Sequence, residues 1–556
     1  MLNFLEQLKT QFKPMSLSRF NFIVAVWLAL AFNFMFFARV FEYTTQYTFS
    51  RWVDVATVGI ILICYFNLYV QLLQWKPTAK WIASLLVIIA AISSYFVTNL
   101  GISITAGQIQ NVIQTDRAEI FDILSKPFFA WIMFLGVLPI IFLWLVPIRE
   151  QTFKHHFKLK MINIVASLLI GFTLIFCNHL YLSDLFRNHT ELKWLISPAN
   201  AMMSTYKYYN DMHHQDMPLQ HYAVDAVRVT PTTEQAPKLM VLVVGEAARA
   251  ESFSLNGYMR NTNPQLSKIE NLINFSQVSS CGTSTAVSVP CMFSGMPRTD
   301  YDEKVAQHRE GLLDIAQRAG YKVTWIDNDS GCKGVCDRVH QISIAPDLKK
   351  KYCDADGFCL DDVLVESLKR YLNSVPKHDL TPQLIVLHQR GSHGLAYYER
   401  TTAEYSPFQP MCKTNDIQNC DRQQLINSYD NTIVYTDHIL SQIIDIIKQN
   451  EKYQAGFWYL SDHGESTGEN GIYLHGTVYS LAPSQQTHIP MMMWFSQNWQ
   501  RHHPQQLQCL TMQKQNSLSQ DNLFPTLLNL LDIHSQVIQS ELNMLNQCTN
   551  NQNYRV

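Results

Sequence analysis

Neither sign of charge is in surplus in this 556-residue sequence: 43 Lys and Arg stand against 45 Asp and Glu, a formal net charge of -2. No long-range field draws in a polyanion, which excludes a polybasic nucleic-acid binder. The 12 cysteines include no C-x-x-C pair, which argues against a zinc cluster of finger type. No small-residue cleavage site follows the first apolar run, so that run is not read as a removable signal peptide. Charge itself is scarce at the front: residues 1–183 carry 20 of the 88 charged side chains and residues 184–556 carry 68. The length suggests two or three domains at roughly 100–200 residues each, and here they occupy different solvents.

What fills the front instead is apolar. A hydrocarbon layer of about 30 Å takes about 20 helical residues, and five uncharged runs of that order follow one another: Asn21–Ala38, Val55–Trp75, Trp81–Val97, Pro127–Ile148 and Met161–Ser183. Five in succession are too many to bury in a soluble core of this size, so they predict a five-helix transmembrane domain over 1–183. One set of flanks holds Lys9, Lys13, Arg19, Lys76, Lys80, Arg149, Lys154, Lys158 and Lys160; the other holds Arg39, Arg51, Arg117 and Lys126. The richer set marks the cytoplasm and places the N-terminus there. An odd number of crossings then exports everything after Ser183.

Cysteine placement gives an independent argument, because disulfides persist in oxidising compartments. Cys64 and Cys177 lie in spans; Cys281, Cys291, Cys332, Cys336, Cys353, Cys359, Cys412, Cys420, Cys509 and Cys548 all lie in the exported part. Their short spacings suggest five bridges between consecutive cysteines, although sequence alone leaves the connectivity open. The exported loop from Thr98 to Lys126 reads as an amphipathic surface helix. Asn111, Thr115 and Glu119 recur at i, i+4 and i+8 on one face, with Gln108 nearby. That face is either simply solvated or a grip for a lipid headgroup.

Residues 184–237, punctuated by Pro198, Pro218, Pro231 and Pro237, read as an irregular linker. From 238 to 556 short apolar runs, Leu239–Val244, Val323–Ile326, Leu384–Leu387 and Phe457–Leu460, alternate with helical stretches. This pattern predicts a mainly parallel sheet with helices on both faces, and such folds bind ligands beyond the carboxyl ends of the strands. Those ends carry Gly245-Glu246, Asp327-Asn328, His388 with His393, and Ser461-Asp462-His463-Gly464-Glu465. Converging carboxylates and imidazoles point to a metal site. Glu246, Asp462 and His463 are three ligands of the kind zinc takes in catalytic sites, where a fourth position stays open for reacting groups. The small-residue segment Ser280–Cys291 offers a hydroxyl there and the start of a helix, whose first amides suit a phosphate. Lys333, His393 and His475 remain as groups for a phosphoryl oxygen or a second metal.

The runs Val244–Ala250 and Cys281–Cys291 with Thr285, the pair Lys333-Gly334, and the stretch Ser461–Gly471 followed by Leu474-His475-Gly476 resemble the lipid A phosphoethanolamine transferases. That family includes the enzymes of colistin resistance, and the likeness covers nearly the whole chain. It implies an alkaline-phosphatase-like (sulfatase-like) α/β domain with disulfides in the periplasm, anchored by the five helices in a bacterial inner membrane. It also implies the reaction. Phosphoethanolamine leaves phosphatidylethanolamine, resides on a threonine and passes to a phosphate of lipid A.

By position, the resemblance makes Thr285 the nucleophile, Glu246, Thr285, Asp462 and His463 the zinc ligands, and Lys333, His393, His475 and Glu465 the substrate or second-metal group. Asn111, Thr115 and Glu119 match its headgroup positions. One zinc ion or two, a membrane-embedded monomer and no nucleic-acid partner are expected. Two positions depart from the pattern: Ser392 precedes His393 where relatives often have Asn, and Asp329 stands where Asn is often found. Competing readings are transfer to a lipopolysaccharide core sugar or another periplasmic glycan, a phosphoglycerol transferase or sulfatase-like hydrolase, and a non-catalytic lipid A sensor. Thr285 argues against the sulfatase, whose nucleophile is a Cys or Ser converted to formylglycine.

Overall fold

The computed structural model describes residues 12–44, 51–114, 124–212, 218–229, 236–355 and 357–546. They fall into two compact units, the first made of the residues up to Ile109 and from Leu124 to Asp211, with the described residues from Gln110 to Gln114 belonging to the second. The first unit is built on α1 (Leu17–Ala31), α2 (Phe34–Tyr43), α3 (Arg51–Leu73) and α4 (Ala79–Leu100). After a short α5 (Ala106–Gln114) come α6 (Lys126–Leu145) and α7 (Phe153–Cys177). Among the described residues four helices are long and apolar enough to cross a bilayer, and five spans result if the bent pair α1 and α2 counts as one. Phe134 is 66% and Phe172 70% exposed; rings turned outward in this way suit lipid chains, not water.

Two span boundaries are corrected. The expected run Asn21–Ala38 crosses a 59° bend between α1 and α2. Asn33 accounts for it. Its buried amide donates to the carbonyls of Leu28 (2.8 Å), Ala29 (3.1 Å) and Ser197 (3.0 Å), and its Oδ1 accepts from the Ser197 amide at 2.8 Å. These bonds satisfy carbonyls that the end of α1 leaves without helical partners, which hydropathy does not register. The last run was expected as Met161–Ser183, but α7 spans Phe153–Cys177. Lysines bar a residue from lipid, not from a helix: the Lys160 ammonium lies 3.7 Å from the Trp75 ring centroid and donates to the Gln74 carbonyl at 3.2 Å. Polar pairs also join helices, Asn21 to Gln71 at 3.2 Å and Asn67 to Ser167 at 2.8 Å.

The irregular linker is corrected too. Helices occupy His179–Asn188, Thr190–Leu195 and Ala199–Met212: Pro198 sits just before the last of them, Pro218 and Pro237 lie outside helices and strands, and Pro231 lies outside the described residues. Val227–Arg228 pairs with Ile533–His534.

The second unit is organised by an eight-stranded sheet: β1 (Lys238–Gly245), β2 (Ile273–Ser279), β3 (Lys322–Asp327), β4 (His340–Ile342), β5 (Gln383–His388), β6 (Gln454–Ser461), β7 (His488–Phe495) and β8 (Leu518–Ser519). In space the order is β8-β2-β7-β6-β1-β5-β3-β4, and only β7 runs antiparallel to its neighbours. The four strands expected from sequence are contiguous in the sheet, as β6-β1-β5-β3. Every residue of β1 and β6 is buried, as strands covered by helices on both faces require. Helices α8 (Thr285–Ser294) and α9 (Arg422–Lys448) complete the parts needed for the site. Four bridges join Cys281–Cys291, Cys332–Cys336, Cys353–Cys359 and Cys412–Cys420, as spacing suggested. Cys509 is disulfide-bonded; Cys548, its expected partner, lies outside the described residues.

Candidate active site

Three adjacent parallel strands deliver the site. Glu246 follows β1; Asp462 and His463 follow β6, which pairs with β1 as far as Gly245 and Ser461. Gly391, just past β5, has φ +53°, and a Cβ there would lie 2.6 Å from the Glu246 carbonyl, so only glycine lets the β5 loop pass beneath the ligand strand. Ala247 also takes a positive φ, 54°. It is held by its amide on Asp462 Oδ1 (3.2 Å) and its carbonyl on the Tyr429 hydroxyl of α9 (2.8 Å).

Thr285 is the first residue of α8, with Ser284 as its N-cap. The turn before it is tied down by Cys281–Cys291, by the Gly282 amide on Ser288 Oγ (2.9 Å) and by the Thr283 hydroxyl on the Thr477 carbonyl (2.6 Å). The Thr285 hydroxyl donates to Glu246 Oε2 at 2.9 Å and lies 3.4 Å from His463 Nε2. His463 Nδ1 lies 2.9 Å from the Gly464 carbonyl, which can only accept, so Nδ1 donates there and Nε2 is turned toward Thr285 and the two carboxylates. Nε2 is 3.3 Å from Glu246 Oε1 and 3.2 Å from Asp462 Oδ2.

Both those carboxylate oxygens are buried with no hydrogen-bond partner. Orphaned buried carboxylate oxygens are costly, and two of them beside an imidazole nitrogen and a hydroxyl form the donor set of a zinc ion. The residues therefore fit the metal expected there. Burial, reinforced by the charges of Asp462 and Asp329, pushes the Glu246 carboxyl well above its ordinary range.

The other expected residues are placed as follows. The His475 and His463 ring centroids lie 4.3 Å apart with the rings tilted by 40°, and the His393 ring centroid lies 5.4 Å from that of His475. Burial and the neighbouring His463 lower the His475 pKa, leaving it neutral near pH 7. Its Nδ1 faces Glu465 Oε2 at 2.8 Å, and the Tyr397 hydroxyl donates to Glu465 Oε1 at 2.6 Å. Through these contacts Glu465 orients His475. The Lys333 ammonium donates to the Ser330 carbonyl and hydroxyl, each at 2.8 Å. Asn111 lies on α5; Thr115 and Glu119 lie outside the described residues.

Sequence reasoning missed Gln520. This buried side chain donates to the carbonyls of Ser461 (2.8 Å) and Asp462 (2.7 Å) and accepts from the Cys281 amide (2.7 Å), joining the ligand loop to the nucleophile turn. A glutamine after a two-residue strand carries no motif that could have flagged it. Gln520→Ala strands three buried backbone groups at about 1–3 kcal/mol each. We expect zinc affinity, measured by chelator competition, to fall about 10–100-fold while the fold persists. Gln520→Glu, which sets a carboxylate against two carbonyls, is expected to fall at least as far; wild-type affinity in both variants would exclude the positioning role.

Comparison with known proteins follows the same division of the chain. A family described as Phosphoethanolamine transferase EptA/EptB matches residues 62–212, and one described as Sulfatase matches residues 238–533. The chain is 38% identical to phosphoethanolamine transferase EptA of Escherichia coli K12, over 95% of this chain and 96% of that one. It is 34% identical to phosphatidylethanolamine transferase Mcr-1 of Escherichia coli, over 93% and 95%. Among solved structures it is similar to the integral membrane lipooligosaccharide phosphoethanolamine transferase A of Neisseria meningitidis, with TM-score 0.91 and 36% identity over 96% of this chain and 99% of that chain.

Proposed function

The chain belongs to the EptA-type phosphoethanolamine transferases, integral membrane enzymes with a periplasmic catalytic domain, and we propose that it moves phosphoethanolamine from phosphatidylethanolamine to a phosphate of lipid A by way of Thr285. The observation that carries this reading is the Thr285 hydroxyl, set at a helix start on Glu246 Oε2 beside two orphaned carboxylate oxygens.

Glu246, Thr285, Asp462 and His463 would hold one zinc ion. Bound there, the ion supplies Lewis-acid charge that makes a nearby hydroxyl acidic at neutral pH. Thr285 gives its proton toward Glu246 Oε2 and attacks phosphorus. The Thr285 Oγ1–P bond forms, the bond from phosphorus to the diacylglycerol oxygen breaks, and diacylglycerol leaves with a proton. A phosphate oxygen of lipid A then attacks the same phosphorus and releases Thr285. The amides opening α8 favour the anionic phosphoryl group. His475, held neutral and oriented by Glu465, stands with His393 and Lys333 to bind its oxygens or a second metal. Asn111, Thr115 and Glu119 are assigned to the donor headgroup. The added ammonium lowers the negative charge of lipid A and so weakens binding of cationic polymyxins.

Mass spectrometry of lipopolysaccharide from cells expressing the chain tests the acceptor. Phosphoethanolamine located on a lipid A phosphate is expected. Unmodified lipid A beside a modified core sugar would overturn the acceptor assignment in favour of the core-sugar reading.

A further inference from the structure

We infer that a second divalent cation binds between Glu246, Asp329 and His388. One ligand atom from each of the three lies within 4.8 Å of the others, a spread that small side-chain adjustments bring to metal–ligand distances of about 2.0–2.2 Å. This site is separate from the His393 and His475 group assigned above to substrate or a second metal.

The observation that singles it out is His388. The ring is fully buried at the end of β5, and its Nε2 has no hydrogen-bond partner. Nδ1 lies 3.1 Å from Asp327 Oδ2. That carboxylate also accepts from Trp325 Nε1 at 2.7 Å, and its other oxygen accepts from the Asp329 amide at 2.9 Å. A carboxylate gripping one imidazole nitrogen while the other is left bare is the arrangement that orients metal-binding histidines. Nε2 looks toward Asp329 Oδ2 at 3.9 Å, and the Ser330 hydroxyl donates to the same oxygen at 2.8 Å. Two carboxylates and one imidazole suit Zn2+ or Mn2+.

The alternative occupant is a proton. Burial alone lowers the His388 pKa, but the charges of Asp327, Asp329 and Glu246 outweigh it and push the value up to about 9. A cation seated at Nε2 displaces that proton. The inference rests on the proposed function only in taking Glu246 as a metal ligand, here shared between two ions.

Full-length protein in detergent, stripped and reloaded with Zn2+, is assayed for bound metal by elemental mass spectrometry. Asp329→Asn and His388→Gln are each expected to carry one equivalent less than wild type. Asp462→Asn should lose a different equivalent, so that Asp329→Asn with Asp462→Asn loses two. Loading with Mn2+ alone gives a second readout: ions sharing one carboxylate about 3.5–4 Å apart couple magnetically, and the coupled signal should vanish in Asp329→Asn. Unchanged metal content in Asp329→Asn and His388→Gln would overturn the site and leave a protonated His388 in its place. Should Asp462→Asn alone keep the wild-type count, the Thr285 metal would fall while this site stands. Melting curves accompany each variant, and the near-isosteric Asp329→Asn keeps the test decisive if His388→Gln unfolds.

Discussion

Thr285→Ala is expected to leave a folded, membrane-inserted protein that binds zinc more weakly and modifies no lipid A. The hydroxyl provides the attacking oxygen and one metal ligand, so its loss removes the covalent route altogether. Deleting a nucleophile from a preorganised site costs on the order of 10³-fold or more in rate. Packing losses should be small, since Thr285 donates to a single carboxylate and opens α8 without capping it. The measurement is lipid A mass spectrometry at matched expression. Undiminished modification would remove Thr285 from the mechanism.

Reduction is the other large effect. The four described bridges close segments with sequence separations of 10, 4, 6 and 8. For loops this short, chain entropy assigns each about 2–3 kcal/mol. Removing several at once exceeds a substantial part of the 5–15 kcal/mol that a typical domain has. Strong reductant should therefore lower the melting temperature of the catalytic domain by many degrees, with zinc release, while the helices remain inserted. A melting temperature indifferent to complete reduction, verified by thiol counting, would contradict a stabilising role for the bridges.

Much of this was legible in the sequence because the governing signals are local. Uncharged runs reveal spans, and four apolar runs ending in Glu246, Asp327, His388 and Asp462-His463 reveal strands that converge. What stayed hidden depends on contacts across long stretches of chain. Asn33 breaks the first span through bonds to Ser197, and no window over residues 21–38 contains that partner. The helix Ala199–Met212 was obscured by polar composition, since it buries little apolar surface to set a period. Glu465 sits inside a recognisable motif, but its role as the anchor of His475 follows from Tyr397, far away in sequence. Gln520 and Asp327 act through hydrogen bonds that only the folded chain assembles.

The central claim is a covalent phosphoethanolamine carried by Thr285, and peptide mapping by tandem mass spectrometry reads it directly. Wild-type protein mixed with phosphatidylethanolamine, in the absence of lipid A, and quenched with acid is predicted to show one phosphoethanolamine increment on the side chain of Thr285. Release of diacylglycerol with the increment absent, or attached to any other residue, would contradict the account.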